Sequence, residues 1–198
     1  MFAVSKVGPY FFAELLCRAF FESVNALFLA TPCYFMVGLQ SDIVKFGTFF
    51  LVLSLLSVMG ASIGIVVGTM TKDIQEAQGM IIPILMPLML FSGFFLPFRD
   101  IPSFFRWLYE ISFLRYGFNI LKVNQWSGVD FDDCDVSSLE GVCPVTCYPN
   151  GKAYLAKTEA SELSMATNFL ILAGFLVAIT LFSFVSMRRA IIAKSKQG

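Results

Sequence analysis

A chain of 198 residues that is 57% hydrophobic, with 23 Phe and no His, is too apolar and too thinly charged for an ordinary water-soluble domain. Its mean hydropathy of +0.75 predicts a polytopic membrane protein. The 14 basic residues balance the 14 acidic ones, which leaves no basic field for nucleic acid and no acidic field for cationic substrates.

Residues 1–18 read as a cytoplasmic or interfacial lead-in without the short apolar core and small-residue cleavage site of a signal peptide. Glu14, Arg18 and Glu22 recur every fourth residue, on one face of a helix that enters the membrane. A span needs about 20 mostly apolar residues to cross roughly 30 Å of hydrocarbon. Three such stretches fall within residues 19–97: Ala19 to Leu39, Phe46 to Met70, and Ala77 to Pro97. The second has no charge, and its Gly60, Gly64 and Gly68 form a small-residue face suited to close helix packing. The third carries Pro83 and Pro87, each of which removes a backbone donor and frees a carbonyl that protein or water must satisfy.

A long polar segment, residues 98–165, precedes a last span at 166–187 and a basic tail at 188–198. Arg188, Arg189, Lys194 and Lys196 place that tail in the cytoplasm by the positive-inside rule, and four spans then return the N-terminus to the same side. The 98–165 segment is therefore expected outside. Its own Lys and Arg do not reverse this, because long loops translocate largely regardless of charge and nine acids share the segment.

The outer segment begins with Phe104, Phe105, Trp107, Tyr109, Phe113, Tyr116 and Phe118 interleaved with Arg106, Glu110, Arg115 and Lys122. Trp and Tyr at headgroup level with snorkelling Arg describe a pair of interfacial amphipathic helices better than a base-stacking surface. Further on, Cys134, Cys143 and Cys147 cluster, whereas Cys17 and Cys33 fall in or beside the first span as small hydrophobes. Three thiols in an oxidising compartment suggest one internal disulfide with one cysteine left over, and the spacing does not say which. Zinc at Cys143 and Cys147 competes, but without His and with only three thiolates nearby a four-coordinate structural site is disfavoured. The carboxylates of Asp130, Asp132, Asp133 and Asp135 lack the glycine and terminal glutamate of a calcium loop and read as a solvated acidic stretch. The outer segment carries no glycosylation sequon.

The most specific pattern runs from FSGFF (Phe91, Ser92, Gly93, Phe94, Phe95) through SF-L-RYGF (Ser112, Phe113, Arg115, Tyr116, Gly117, Phe118) to Asn124, Trp126 and Gly128. In these motifs the chain resembles the G subfamily of ATP-binding-cassette transporters, the White/Scarlet/Brown type, and it aligns with the last four of that family's six membrane helices. The resemblance implies an all-α membrane protein: four transmembrane helices, short re-entrant helices over the exit cavity, and a disulfide-bearing extracellular loop whose odd cysteine can bridge two subunits. It implies that Phe94 and Phe95 form a hydrophobic plug and that Ile82, Leu85, Met86 and Met89 face a central substrate cavity. At Glu14 and Arg18 the family has a basic and then an acidic residue, so the signs are exchanged here.

The family works as a pair of half-transporters, homo- or heterodimeric, powered by ATP and Mg on nucleotide-binding domains. No G-x-x-x-x-G-K-[ST] run occurs in this sequence, and no other catalytic, cofactor or metal motif does, so the chain by itself reads as pathway and gate, not enzyme. Met and Phe linings are adaptable and polarizable, which suits lipids, sterols or planar hydrophobic molecules. A truncated subunit that dimerises with full-length half-transporters and modulates them is the second expectation. An intramembrane enzyme would need His or acids grouped within the bilayer, which the spans lack.

Overall fold

The computed structural model describes residues 7–40, 42–96, 101–129, 151–157 and 163–195, all of them helical or in the turns between helices. The order is α1 (Val7–Met36), α2 (Ile43–Met70), α3 (Ile74–Leu90), α4 (Arg106–Ile111, after a 3-10 turn at Ser103–Phe105), α5 (Phe113–Trp126), α6 (Gly151–Lys157) and α7 (Met165–Ser195). The cysteine cluster at 134, 143 and 147 and the acidic run from Asp130 to Asp135 lie outside the described residues.

Among the described residues two helices, Ile43–Met70 and Met165–Ile192, are long and apolar enough to cross a bilayer. Only 22% and 11% of their apolar windows are buried within the protein, so most of their surface needs a lipid environment. α1 is longer, at 30 residues, but carries Glu14, Arg18, Glu22 and Asn25 in its first two-thirds. α3 has 17 residues, about 26 Å at 1.5 Å per residue, which falls short of the hydrocarbon thickness. Four spans were expected from apolar stretches; length and hydropathy together single out two.

The starting charges of α1 pair as their spacing predicts, with Arg18 Nη2 2.9 Å from Glu14 Oε1. Near the same point Phe11 packs edge-on against Phe184 at 5.1 Å, and Thr69 and Ser186 share a hydrogen bond of 2.6 Å. The beginning of α1, the end of α2 and the end of α7 therefore meet at one end of the bundle.

The core is built around α5. Phe113, Tyr116 and Ile120, spaced along one helical face, interlock with Val52 and Met59 of α2 and Leu172 of α7. Asn124 Nδ2 donates to the Lys45 carbonyl at 2.8 Å, so α5 runs alongside α2 from the level of Met59 out to its beginning. Its close approach depends on Gly117: a Cβ there would stand 2.9 Å from Leu56 Cδ1. The expected glycine packing face on α2 behaves otherwise, since a Cβ on Gly60, Gly64 or Gly68 would meet nothing within 4 Å. The residues that α2 buries against its neighbours are Val52, Met59, Ser62 and Val67.

Gly117→Val forces a branched side chain into the Leu56 contact and is expected to cost about 1–3 kcal/mol as overpacking. Thermal unfolding of the purified chain in detergent measures it; an unchanged midpoint would mean that Leu56 yields freely and that the α2–α5 approach does not need glycine.

Candidate functional site: the end of α3 and its aromatic turn

α3 starts at an exposed turn, where the Lys72 N–H donates to Glu76 Oε2 at 3.1 Å, and runs unbroken through both prolines. Proline at 83 and 87 withdraws the donors that would close on the carbonyls of Gly79 and Pro83, so the ladder of this short helix is weakened along its second half. Its C-terminal carbonyls are then taken one by one. The Phe91 N–H donates to Pro87 O at 3.0 Å. Met89 O receives both the Ser92 N–H at 3.3 Å and the Ser92 hydroxyl at 2.7 Å. Leu88 O receives the Ser112 hydroxyl, 24 residues away, at 2.9 Å.

The chain then reverses at Gly93, whose φ of +79° is the left-handed conformation that glycine adopts without steric cost. The turn is held from the α4–α5 side. Lys122 Nζ donates to Gly93 O at 3.1 Å, and the Tyr109 ring lies so close that a Cβ on Gly93 would be 3.2 Å from its Cε2. Burial pushes the Lys122 ammonium below the usual lysine range.

Tyr109 is itself fixed by Arg115, whose guanidinium carbon sits 4.0 Å from the ring centroid. Arg115 is buried, and its Nη1 lies 2.6 Å from Glu110 Oε2 but off the hydrogen-bond line, so the contact is ionic more than directional. Burial would lower the Arg115 pKa, yet the carboxylate of Glu110 outweighs it and the net direction is up. The Tyr116 hydroxyl donates to Glu110 O at 3.1 Å and completes the group. The charges read from sequence as part of an interfacial helix pair thus form, at exposed Glu110, buried Arg115 and partly buried Lys122, a scaffold for the turn. Two spacings pointed to it: a proline-weakened helix end needs outside donors, and SF-L-RYGF lies one short turn away in the fold.

Phe94 and Phe95 project from this scaffold. They are 61% and 53% exposed, meet edge-to-face at 4.9 Å, and Phe94 stacks on Phe118 at 5.5 Å. Beside them is an open hollow of about 460 Å³ lined by Met86, Pro87, Met89, Leu90, Phe91 and Phe95, without a polar side chain. Of the six residues expected at the pathway, Met86, Met89 and Phe95 line this hollow together. Phe94 leans on Phe118, Ile82 is exposed one turn before Met86 on the same stripe, and Leu85 is half-buried. α3 has no buried residue, so this whole stripe is uncovered within one chain.

Ser112→Ala leaves the partly buried Leu88 carbonyl without the hydroxyl that satisfies it and is expected to cost about 1 kcal/mol, with faster amide exchange across residues 91–95. Exchange at the wild-type rate would mean that the turn is held without Ser112. The Lys122 pKa gives a second check. The unfolded chain binds more protons than the folded one between the depressed pKa and the ordinary value of 10.5, so stability from this group rises with pH through that window. Lys122→Met is expected to flatten that slope in unfolding measured against pH; an identical slope in the variant would refute it.

Residues 1–126 match the ABC-2 type transporter family. The chain is 26% identical over 185 residues to the ABC transporter ATP-binding protein/permease wht-1 of Caenorhabditis elegans, covering 93% of this chain and 28% of that protein. It is 26% identical over 168 residues to Protein white of Drosophila melanogaster, covering 82% of this chain and 24% of that protein. To ABC transporter G family member 24 of Dictyostelium discoideum it is 27% identical over 186 residues, 92% of this chain and 15% of that protein. The chain thus spans about a quarter or less of the length of these relatives. The motifs of the α3 turn and the match over residues 1–126 lead to one conclusion: the chain belongs to the ABC-2 type transporter family, with relatives of the White and G-family type.

Proposed function

We infer that the chain is the membrane-domain portion of an ATP-driven exporter of lipids, sterols or other hydrophobic small molecules. In this reading α1, α2, α3 and α7 all cross the bilayer and the C-terminus is cytoplasmic. Energy comes from ATP and Mg on a nucleotide-binding domain, and a second half-transporter subunit, identical or not, completes the pathway. The reading is supported by the relatives, whose names describe ATP-binding transporters, and by the apolar hollow at the end of α3.

The observation that carries it is the juxtaposition of that dry hollow with two exposed phenylalanines on a rigidly clamped turn. Two copies facing each other across an axis would bring four such rings together. A constriction of this kind excludes ions by refusing them hydration, while a flat apolar molecule passes as the rings rotate. Met86 and Met89 offer flexible, polarizable contacts below the rings, which suits a range of hydrophobic cargo. The cysteines at 134, 143 and 147 would staple the outer loop and, through the odd one, the subunit pair.

Replacing Phe94 and Phe95 together by Ala in the assembled transporter is expected to change efflux of a fluorescent sterol or lipid analogue several-fold, or to uncouple it from ATP hydrolysis. Wild-type efflux and ATPase activity in a double variant that reaches the membrane normally would overturn the gate assignment.

A further inference from the structure

On the other side of α3 a second hollow, about 500 Å³, opens between α2, α3 and α7, with Val66, Ile84, Leu88, Phe175, Ala178 and Phe182 among its walls. It is distinct from the hollow beside Phe95, since the two draw on opposite faces of α3. Met70 and Phe182 also line an adjoining hollow of about 320 Å³. There the walls change character: Thr69, Ser186 and Arg189 appear among the apolar residues. From Phe175 to Arg189 the groove follows one stripe of α7 for ~21 Å at 1.5 Å per residue, more than the roughly 15 Å share of one leaflet in the hydrocarbon core.

The chemistry at the mouth is specific. Thr69 donates to Val66 O at 2.7 Å, so in the 2.6 Å contact between the two hydroxyls Ser186 is the donor and keeps its lone pairs free to accept. Arg189 has no acidic partner among the described residues. The mouth thus offers one fixed cation and one acceptor, at the end of an apolar channel long enough for an acyl chain.

We propose that this groove binds an acidic glycerophospholipid of the leaflet at the C-terminal end of α7, with one acyl chain along Phe175–Phe182 and its headgroup on Arg189 and Ser186. An acidic headgroup supplies the anion for Arg189 and, through its own hydroxyl or ammonium, the donor for Ser186; phosphatidylcholine supplies no such donor. Arginine at a span end reaches to the headgroup level with its stem along apolar surface, which is the geometry required. The site touches α3 at Ile84 and Leu88 and reaches Ile111 and Phe113 on either side of Ser112, so an occupying lipid would brace the position of α3 without entering the hollow beside Phe95.

The test is native mass spectrometry of the purified chain in micelles containing equal phosphatidylserine and phosphatidylcholine. Wild type is expected to retain one phosphatidylserine in preference to phosphatidylcholine. Arg189→Gln is expected to lower that preference about fivefold, the effect of one basic residue near an acidic surface, and Arg188→Gln, beside the groove, to leave it unchanged. Ala178→Trp, which fills the channel, is expected to abolish retention of either lipid. The proposal is overturned by an unaltered preference in Arg189→Gln, by an equal loss in Arg188→Gln, which would mean diffuse attraction to the basic end, or by retention in Ala178→Trp. Failure of the wild type to retain any lipid overturns it as well and leaves the groove to another protein segment.

Discussion

The hydrogen bond from Ser112 to the Leu88 carbonyl, with its neighbour from Lys122 to Gly93, is the constraint around which the described structure is arranged. In a medium without water each free backbone carbonyl costs several kcal/mol, so a helix can end inside a bundle only where donors wait for it. α3 ends in that way. Its two prolines weaken the ladder, its last turn relies on Ser92 locally, and the remaining carbonyl needs a hydroxyl from another helix. That requirement accounts for α4 and α5 folding back against α3, and it gives Ser92 and Ser112 their partners.

Phe94 and Phe95 depend on the same scaffold. Two large apolar rings on a free loop would collapse onto the nearest hydrophobic surface. On a glycine turn pressed by Tyr109, itself held by Arg115 and Glu110, they stay exposed at a defined place beside the hollow. Burial of Arg115 is tolerable because Glu110 compensates its charge and two aromatic rings face its guanidinium. The bundle around them is loose where α3 stands, with no buried residue on that helix, and tight where α5 stands, wedged between α2 and α7 through Gly117 and Ile120. A helix that packs so little on its own chain is free to be covered by, and to move against, something else.

Much of this was legible in the residues. The uncharged run from Phe46 to Met70 and the run after Ala166 appear as the two unambiguous apolar helices, because periodicity and length are local properties. The motifs from Phe91 to Gly128 led to the family. The Glu14–Arg18 pair followed from a spacing of four. What could not be read was the use of those residues. Gly60, Gly64 and Gly68 look like a packing face on paper and meet open space, whereas Gly117, unremarkable in spacing, takes the close contact.

The sequence by itself determined the solvent, the helical class, the family and the location of the aromatic turn, since each of these follows from composition or from short-range spacing along one chain. Only the tertiary structure decided that the Leu88 and Gly93 carbonyls meet Ser112 and Lys122, that Arg115 turns inward beside Tyr109 and pairs with Glu110, and that two apolar hollows lie on different faces of α3. Those outcomes join residues tens of positions apart, and contact between such residues is set by which helices share a core, a choice that no local pattern encodes.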